Sequence, residues 1–286
     1  MRIPSAVLTV LLLISSPLAA ADDDDVALRK FHPWGRFHVG SWNRVRIVTE
    51  TVDEQGQVVS TSTSDTKATL IERGLESYSL KLEMSVEVAG KKIPSEPKTV
   101  KLGYAGENLG EQLTYRDVEG ASVSIGGRRI DCGVQEVEIV RVGQRLVSLV
   151  RYADKIAPFV LQRKTTHSDP ARPTQPLETT DFEVIELDKT LEVCGQLLST
   201  ARTRQIQRGA RGSTETLSVV CPGVPGEMVS QPSEKVDEQG RLIHRSSLEL
   251  VSYHAAPPPA AAPAVEDLPE RRVPRRYHKR SRHERR

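Results

Sequence analysis

The run Leu80-Lys81-Leu82-Glu83-Met84-Ser85-Val86-Glu87-Val88 is apolar at every even position and polar or charged at every odd one. Only an extended strand puts alternate side chains on opposite faces, so this run predicts one face on a core and one in water. The pattern recurs from about Trp42 to Tyr253, and turn signals punctuate it. Asp53-Glu54-Gln55-Gly56 separates Arg44–Val52 from 57–64, and Ala89-Gly90 ends the Leu80 strand. Val142-Gly143 divides 134–141 from 145–152, and Asp237-Glu238-Gln239-Gly240 precedes 241–253. Each glycine supplies the positive φ of a tight hairpin or bulged loop. Leu191 to Ile206 is the main stretch where a short helix competes. The polar, Pro-rich residues 168–180 read as a loop excursion within the domain, with a domain boundary as the alternative. The fold class predicted is all-β: a long curved antiparallel sheet, a half-barrel or open barrel, in a domain spanning 42–254.

Two segments look related. Ile130-Asp131-Cys132-Gly133 opens one and Glu192-Val193-Cys194-Gly195 opens the other. Each passes through strand-like runs to a proline turn, Ala157-Pro158-Phe159 or Val224-Pro225-Gly226, and closes on a similar strand. The expected repeats are 130–187 and 192–253, which predicts a long meander built by repetition. The matched Cys-Gly pairs make Cys132 and Cys194 the favoured disulfide, with Cys221 left as the third thiol. The alternative is three buried thiols.

The ends of the chain speak of compartment. Arg2, the apolar run Ala6 to Ile14 and Ala19-Ala20-Ala21 have the form of a secretory signal ending at residue 21. The run is too short to span a bilayer, which takes about 20 apolar residues, and no later stretch approaches that length. The expected location is periplasmic or extracellular, peripheral on the cell envelope. Residues 22–41 open on Asp22-Asp23-Asp24-Asp25 and continue into an aromatic segment. After the domain come a Pro/Ala-rich linker, 255–265, and a basic tail, 266–286. The whole chain carries +2, but its tail alone carries +5. Arg271, Arg272, Arg275, Arg276, Lys279, Arg280, Arg282, Arg285 and Arg286 cannot bury a core, and their expected partner is an anionic envelope surface or polymer. Nucleic acid fits poorly, because Tyr277 is the tail's one stacking ring.

Phe31, Trp34, Phe37 and Trp42 gather in one short segment ending at Arg44-Val45-Arg46. They are read either as an apolar contact or lid for lipid or glycan, or as a plug packed over one end of the sheet. This opening, the Val-Pro-Gly turn and the period of two resemble uncharacterised secreted bacterial proteins with long curved antiparallel sheets. At fold level, residues 40–253 are also similar to the lipoprotein-carrier half-barrels of bacterial envelopes. That resemblance implies an apolar groove and a hydrophobic ligand.

Little points to catalysis. The seven histidines are scattered without HExxH or HxH spacing, and no metal ligand set or cofactor motif is present. His167-Ser168-Asp169 has the residue types of a triad, but neighbours in sequence do not converge in space. Glu136 with Glu138, and Glu83 with Glu87, share strand faces and could flank a glycosidic bond, yet alternate charges are also what a wet sheet face carries. The leading expectation is a non-catalytic envelope or secreted binding module with an apolar groove and a basic tail. The alternative is a structural or protein-interaction protein with a filled core, and a hydrolase ranks last.

Overall fold

The computed structural model describes Arg29 and residues 32–88, 90–108 and 110–258. The signal-like segment and the basic tail lie outside them, as does Phe31. The elements are β1 (Trp42–Val52), β2 (Val58–Arg73), β3 (Ser77–Val88), β4 (Lys91–Pro94), β5 (Lys98–Gly103), β6 (Gln112–Ile125) and β7 (Arg128–Arg141). They continue as β8 (Gln144–Tyr152), β9 (Val160–Asp169), β10 (Arg172–Val193), β11 (Gln196–Gly209), β12 (Gly212–Val220), β13 (Met228–Val236) and β14 (Leu242–His254). All belong to one open, curved antiparallel sheet ordered β4-β3-β2-β1-β14-β13-β12-β11-β10-β9-β8-β7-β6, with β5 also on β3. The last strand thus sits centrally, between β13 and β1.

Two sets of strands are equivalent. β7 and β11 each have 14 residues, β8 and β12 each have nine, and β9 and β13 follow. Each member of the second set starts 68 residues after its counterpart: 128 to 196, 144 to 212, 160 to 228. The loops between the second and third strands repeat bond for bond. Ala153 N donates to Phe159 O (2.8 Å) and Val160 N to Pro158 O (2.9 Å), while Cys221 N donates to Glu227 O (2.7 Å) and Met228 N to Gly226 O (2.8 Å). Phe159 and Glu227 both hold positive φ, 69° and 61°.

This spacing does not run through the Cys-Gly pairs. Cys194-Gly195 forms the β10–β11 turn, with φ of 49° and 81°, and its counterpart is Gly126-Gly127, with φ of 55° and 80°. Cys132 lies instead within β7 and faces the core. The expected Cys132–Cys194 disulfide is therefore absent, and all three cysteines are free. Cys132 is spent on packing, whereas exposed Cys194 sits at a hairpin tip with its thiol toward Val251 O (3.8 Å).

Two further expectations change. Residues 168–180 are no loop excursion: β9 ends at Asp169 and β10 starts at Arg172. The β9–β10 pairing is irregular around Pro176, which spares that residue the donor it lacks. The 191–206 segment is the β10–β11 hairpin, not a helix. β-branched and polar residues around a two-residue turn outweigh the weak 3.6-residue pattern.

The sheet curls about the face that carries its core. β6 touches β10 although three strands separate them in the sheet. Leu113 and Tyr115 of β6 pack with Phe182 of β10 against Val137, Val150 and Val160. Further along, Val193 and Leu198 share a cluster with Leu250 and Tyr253 of β14, and Tyr253 Oη donates to Gln196 Oε1 (3.3 Å). The largest cluster runs from Val45 and Ile47 through Leu248, Met228, Val220, Ala201 and Val184 to Leu161, with Val123, Ile125, Ile130 and Cys132.

Candidate functional site

The aromatic segment closes one end of the concave face. Trp34 and Phe37 are buried against Ala68, Leu70, Tyr78, Leu80 and Tyr104. Their rings are part of a core and are not presented to a ligand. Backbone bonds tie the segment to β2: Gly40 N to Leu70 O and Leu70 N to Ser41 O, both 2.8 Å. Arg73 Nη1 also donates to Phe37 O (2.9 Å). On the other side it meets the β12–β13 loop, where Gly226 N donates to Pro33 O (3.0 Å) and Asn43 Nδ2 to Pro225 O (2.7 Å). Trp42 stands apart, half-buried on β1, with Lys67 Nζ 4.6 Å from its ring centre and His254 beside it.

Two titratable groups are sealed under this plug. His32 is 0% exposed, packed beside the stacked rings of Tyr78 (4.7 Å) and Tyr104 (5.2 Å). Its Nδ1 accepts from Trp34 N (3.1 Å) and Gly35 N (3.3 Å), while Nε2 has no partner. Burial, with the Arg36 charge adding to it, lowers its pKa to about 3, so it is neutral. Arg36 Nη2 lies 2.5 Å from Glu227 Oε1, and both side chains are largely withdrawn from water. Burial pushes the Glu227 carboxyl up, and the Arg36 charge offsets only part of that rise. The Arg36 guanidinium also lies 5.8 Å from the ring of Phe159, the counterpart of Glu227 in the other loop. One arginine thus bridges equivalent points of the two repeated loops.

Three of the four carboxylates in the two expected pairs are ion-paired. Glu136 pairs with Arg116 (2.9 Å), Glu138 with Arg145 (2.7 Å) and Glu83 with Lys81 (3.0 Å). His167 Nδ1 faces Glu178 Oε1 at 3.7 Å across the β9–β10 pair, and burial lowers its pKa despite that neighbour. Among the described residues no three His, Cys, Asp or Glu side chains gather as a metal site.

Two adjoining clefts have a mixed lining, in which charged and hydroxyl side chains stand beside Ile130, Ile156, Ala201 and Pro222. A cleft of about 300 Å³ lies between Arg128, Lys155, Asp188 and Thr200, and an adjoining one of about 510 Å³ adds Arg129, Asp131 and Tyr152. Asp188 lines it with φ of 57°, inside the irregular part of β10, and faces Arg128 at 3.7 Å.

The other end of the concave face is also polar, a feature that strand-by-strand reading did not reveal. Ile47 opposes Leu248 in the core, and two residues further along each strand Thr49 opposes Ser246 on the same face. From that pair the registers carry a row across six strands: Ser62, Thr49, Ser246, Ser233, Thr216 and Gln205. Gln205 opposes Phe182, whose ring packs inside the curl, so the row lies on the concave side. Thr216 Oγ1 and Ser233 Oγ are hydrogen-bonded at 3.0 Å. A parallel row toward the hairpin tips continues through Thr180, Thr165 and Ser148, the last two bonded at 2.8 Å.

No protein-family model matches the chain, and no curated protein matches it. Among solved structures it is similar to a candidate lipoprotein from Parabacteroides distasonis ATCC 8503, with 10% identity and a TM-score of 0.31, over 78% of this chain and 98% of that one. It is similar also to a candidate exported protein with a YmcC-like fold from Bacteroides fragilis NCTC 9343, with 7% identity and a TM-score of 0.29, over 76% and 97%.

Proposed function

We propose that this chain is a non-catalytic binding module of an exported compartment, working through polar surfaces and its basic tail. The observation that carries this is the filling of the concave face. Among the described residues its buried apolar side chains belong to four clusters that the chain itself closes, and the plug covers the one that holds Tyr78 and Tyr104. Two adjoining clefts are lined by charged and hydroxyl side chains together with Ile130, Ile156, Ala201 and Pro222, a mixed lining that favours polar contacts over acyl chains. The ion-paired carboxylates and the walled-in His32 support a non-catalytic role.

Native mass spectrometry of residues 22–286, purified from an exporting bacterial host without detergent, tests the filled interior. The expected mass is that of the bare chain, and a reproducible lipid adduct would restore an apolar-groove reading. Flotation with anionic vesicles tests the tail. Deleting residues 266–286 should abolish binding, and moderate salt should weaken that of the full chain. Binding that survives the deletion rejects the tail's role.

A further inference from the structure

We infer that the cleft bordered by Arg128, Lys155 and Ile156 is a binding site for a small aromatic carboxylate. This rests on the reading of the chain as a binding module and gives the module a ligand class. The second repeat supplies a template for the site in the first. Val193, Leu198, Cys221, Val224, Leu250 and Tyr253 share one apolar cluster. Under the 68-residue spacing the first four correspond to Ile125, Ile130, Ala153 and Ile156. The following strand matches as well. Gln162 faces Glu183 as its counterpart Ser230 faces Glu249, so Leu250 and Tyr253 correspond to Val184 and Leu187. Both strands also leave one residue out of the ladder at the same place, Ile185 in β10 and Val251 in β14. All six counterparts again pack in a single cluster.

The repeats differ in what completes them. In the second, the Tyr253 ring reaches past the cluster and its Oη donates to Gln196 Oε1 (3.3 Å). In the first, Leu187 stands in place of Tyr253 and Arg128 in place of Gln196. An isobutyl group is shorter than a phenol, and it is in this repeat that a cleft of about 300 Å³ opens beside Arg128 and Ile156. One repeat thus holds a ring of its own with a polar group at the far end, and the other has open space and a cation.

The lining selects the ligand. Arg128, Lys155 and Ile156 border both this cleft and the adjoining one of about 510 Å³. Arg129, Asp131 and Asp154 line only the larger cleft and Asp188 only the smaller, so the junction itself is cationic. The corresponding places in the second repeat hold Gln196, Gly223 and Val224, without charge. Ile156, Ala201 and Pro222 offer apolar surface to a ring. Arg128 and Lys155 offer charge-assisted hydrogen bonds to a carboxylate on it, and the planar guanidinium matches carboxylate geometry. Asp188 is the opposing group. It faces Arg128 at 3.7 Å with both side chains mostly exposed, a weak pair that an incoming carboxylate can displace.

The test is calorimetry and saturation-transfer NMR of residues 22–286 with benzoate and 4-hydroxybenzoate, each up to about 10 mM. Benzyl alcohol carries the ring without the charge, and acetate the charge without the ring. Both benzoates are expected to bind, the two controls at least about tenfold more weakly, and deletion of residues 266–286 should change nothing. Arg128→Gln, which copies Gln196 at an exposed position, should weaken benzoate binding at least about tenfold. Asp188→Asn keeps a residue that tolerates the left-handed backbone and removes the opposing charge, so it should tighten binding about threefold. Leu187→Tyr, which copies Tyr253, should fill the cleft and abolish binding. If its circular dichroism shows misfolding, Arg128→Gln and Asp188→Asn decide. Failure of both benzoates to bind, equal binding of either control, binding indifferent to Arg128→Gln, or dependence on the tail would each overturn the inference. Vesicle binding by a protein that ignores the benzoates would reject the cleft and leave the module reading standing.

Discussion

His32 makes the fold of this protein sensitive to acid in a way that can be isolated. Its imidazole is 0% exposed, and its Nδ1 is committed as an acceptor to two backbone N–H groups. Protonation would turn that acceptor into a donor aimed at donors. The folded pKa of about 3 lies below the ordinary 6.5, so the unfolded chain binds the proton more readily. Stability is therefore complete above the unfolded value and is lost as pH falls from 6.5 toward 3. The loss is about 1.4 kcal/mol per pH unit, hence about 2.7 kcal/mol by about pH 4.5. Other groups titrate there too, so the measurement is a difference between wild type and His32→Asn. Asn can still accept from the Trp34 and Gly35 amides, and it does not titrate. Urea unfolding of both proteins from about pH 7.5 to about pH 4.5 should show the wild-type advantage shrinking by about 2–3 kcal/mol. A difference that stays flat over this range would refute a buried, neutral His32.

Other perturbations follow from the same packing. Arg36→Met leaves the Glu227 carboxylate buried without its ion partner and should cost about 3–5 kcal/mol near neutral pH in urea unfolding, less toward acid pH as the carboxyl protonates. Adding Glu227→Met should recover most of that loss, and a double variant no better than the single one would contradict the pairing. Gly226 has φ of 79°, and a Cβ there would stand 2.8 Å from Asn43 Nδ2 and 3.0 Å from the Trp34 ring. Gly226→Ala should lower stability by about 2–4 kcal/mol, against about 1 kcal/mol for Gly56→Ala, whose φ of 80° is matched by open space. Equal melting temperatures for the two would refute the close contact. Thiol titration should find one reactive cysteine in the native protein, Cys194, and three after denaturation, with an intact mass showing no disulfide.

The strands were readable wherever one face meets a core and the other water. Leu80–Val88 forms the expected strand, although on its apolar face only Leu80 and Leu82 join a core cluster and Val88 is exposed, and the two Asp-Glu-Gln-Gly turns behave as their chemistry predicts. Asp53 and Asp237 each accept from two backbone amides within their own turn. The frame of the repetition was harder to read, because a left-handed two-residue turn can be written Gly126-Gly127 or Cys194-Gly195. Matching Cys with Cys therefore aligned a turn with the middle of a strand. The plug was legible only as an aromatic cluster, since Arg36 and Glu227 are 191 positions apart (36 and 227) with no local pattern to join them. The hydroxyl rows were invisible for a different reason. A Ser or Thr inside one strand reads as ordinary, and only the register of six strands turns it into a continuous surface.

The central place of β14 has a consequence for how the chain reaches its folded state. Trp42 is paired with His254, 212 positions later (42 and 254), and β1 finds its second neighbour only when the last strand arrives. Contacts so distant in sequence close large loops before any reward is gained, which slows folding. A growing polypeptide that stops short of Leu242 would hold two bare strand edges, β1 and β13, in the interior of an unfinished sheet. The final strand therefore acts as a keystone, and the chain stays loose until almost all of it has been delivered.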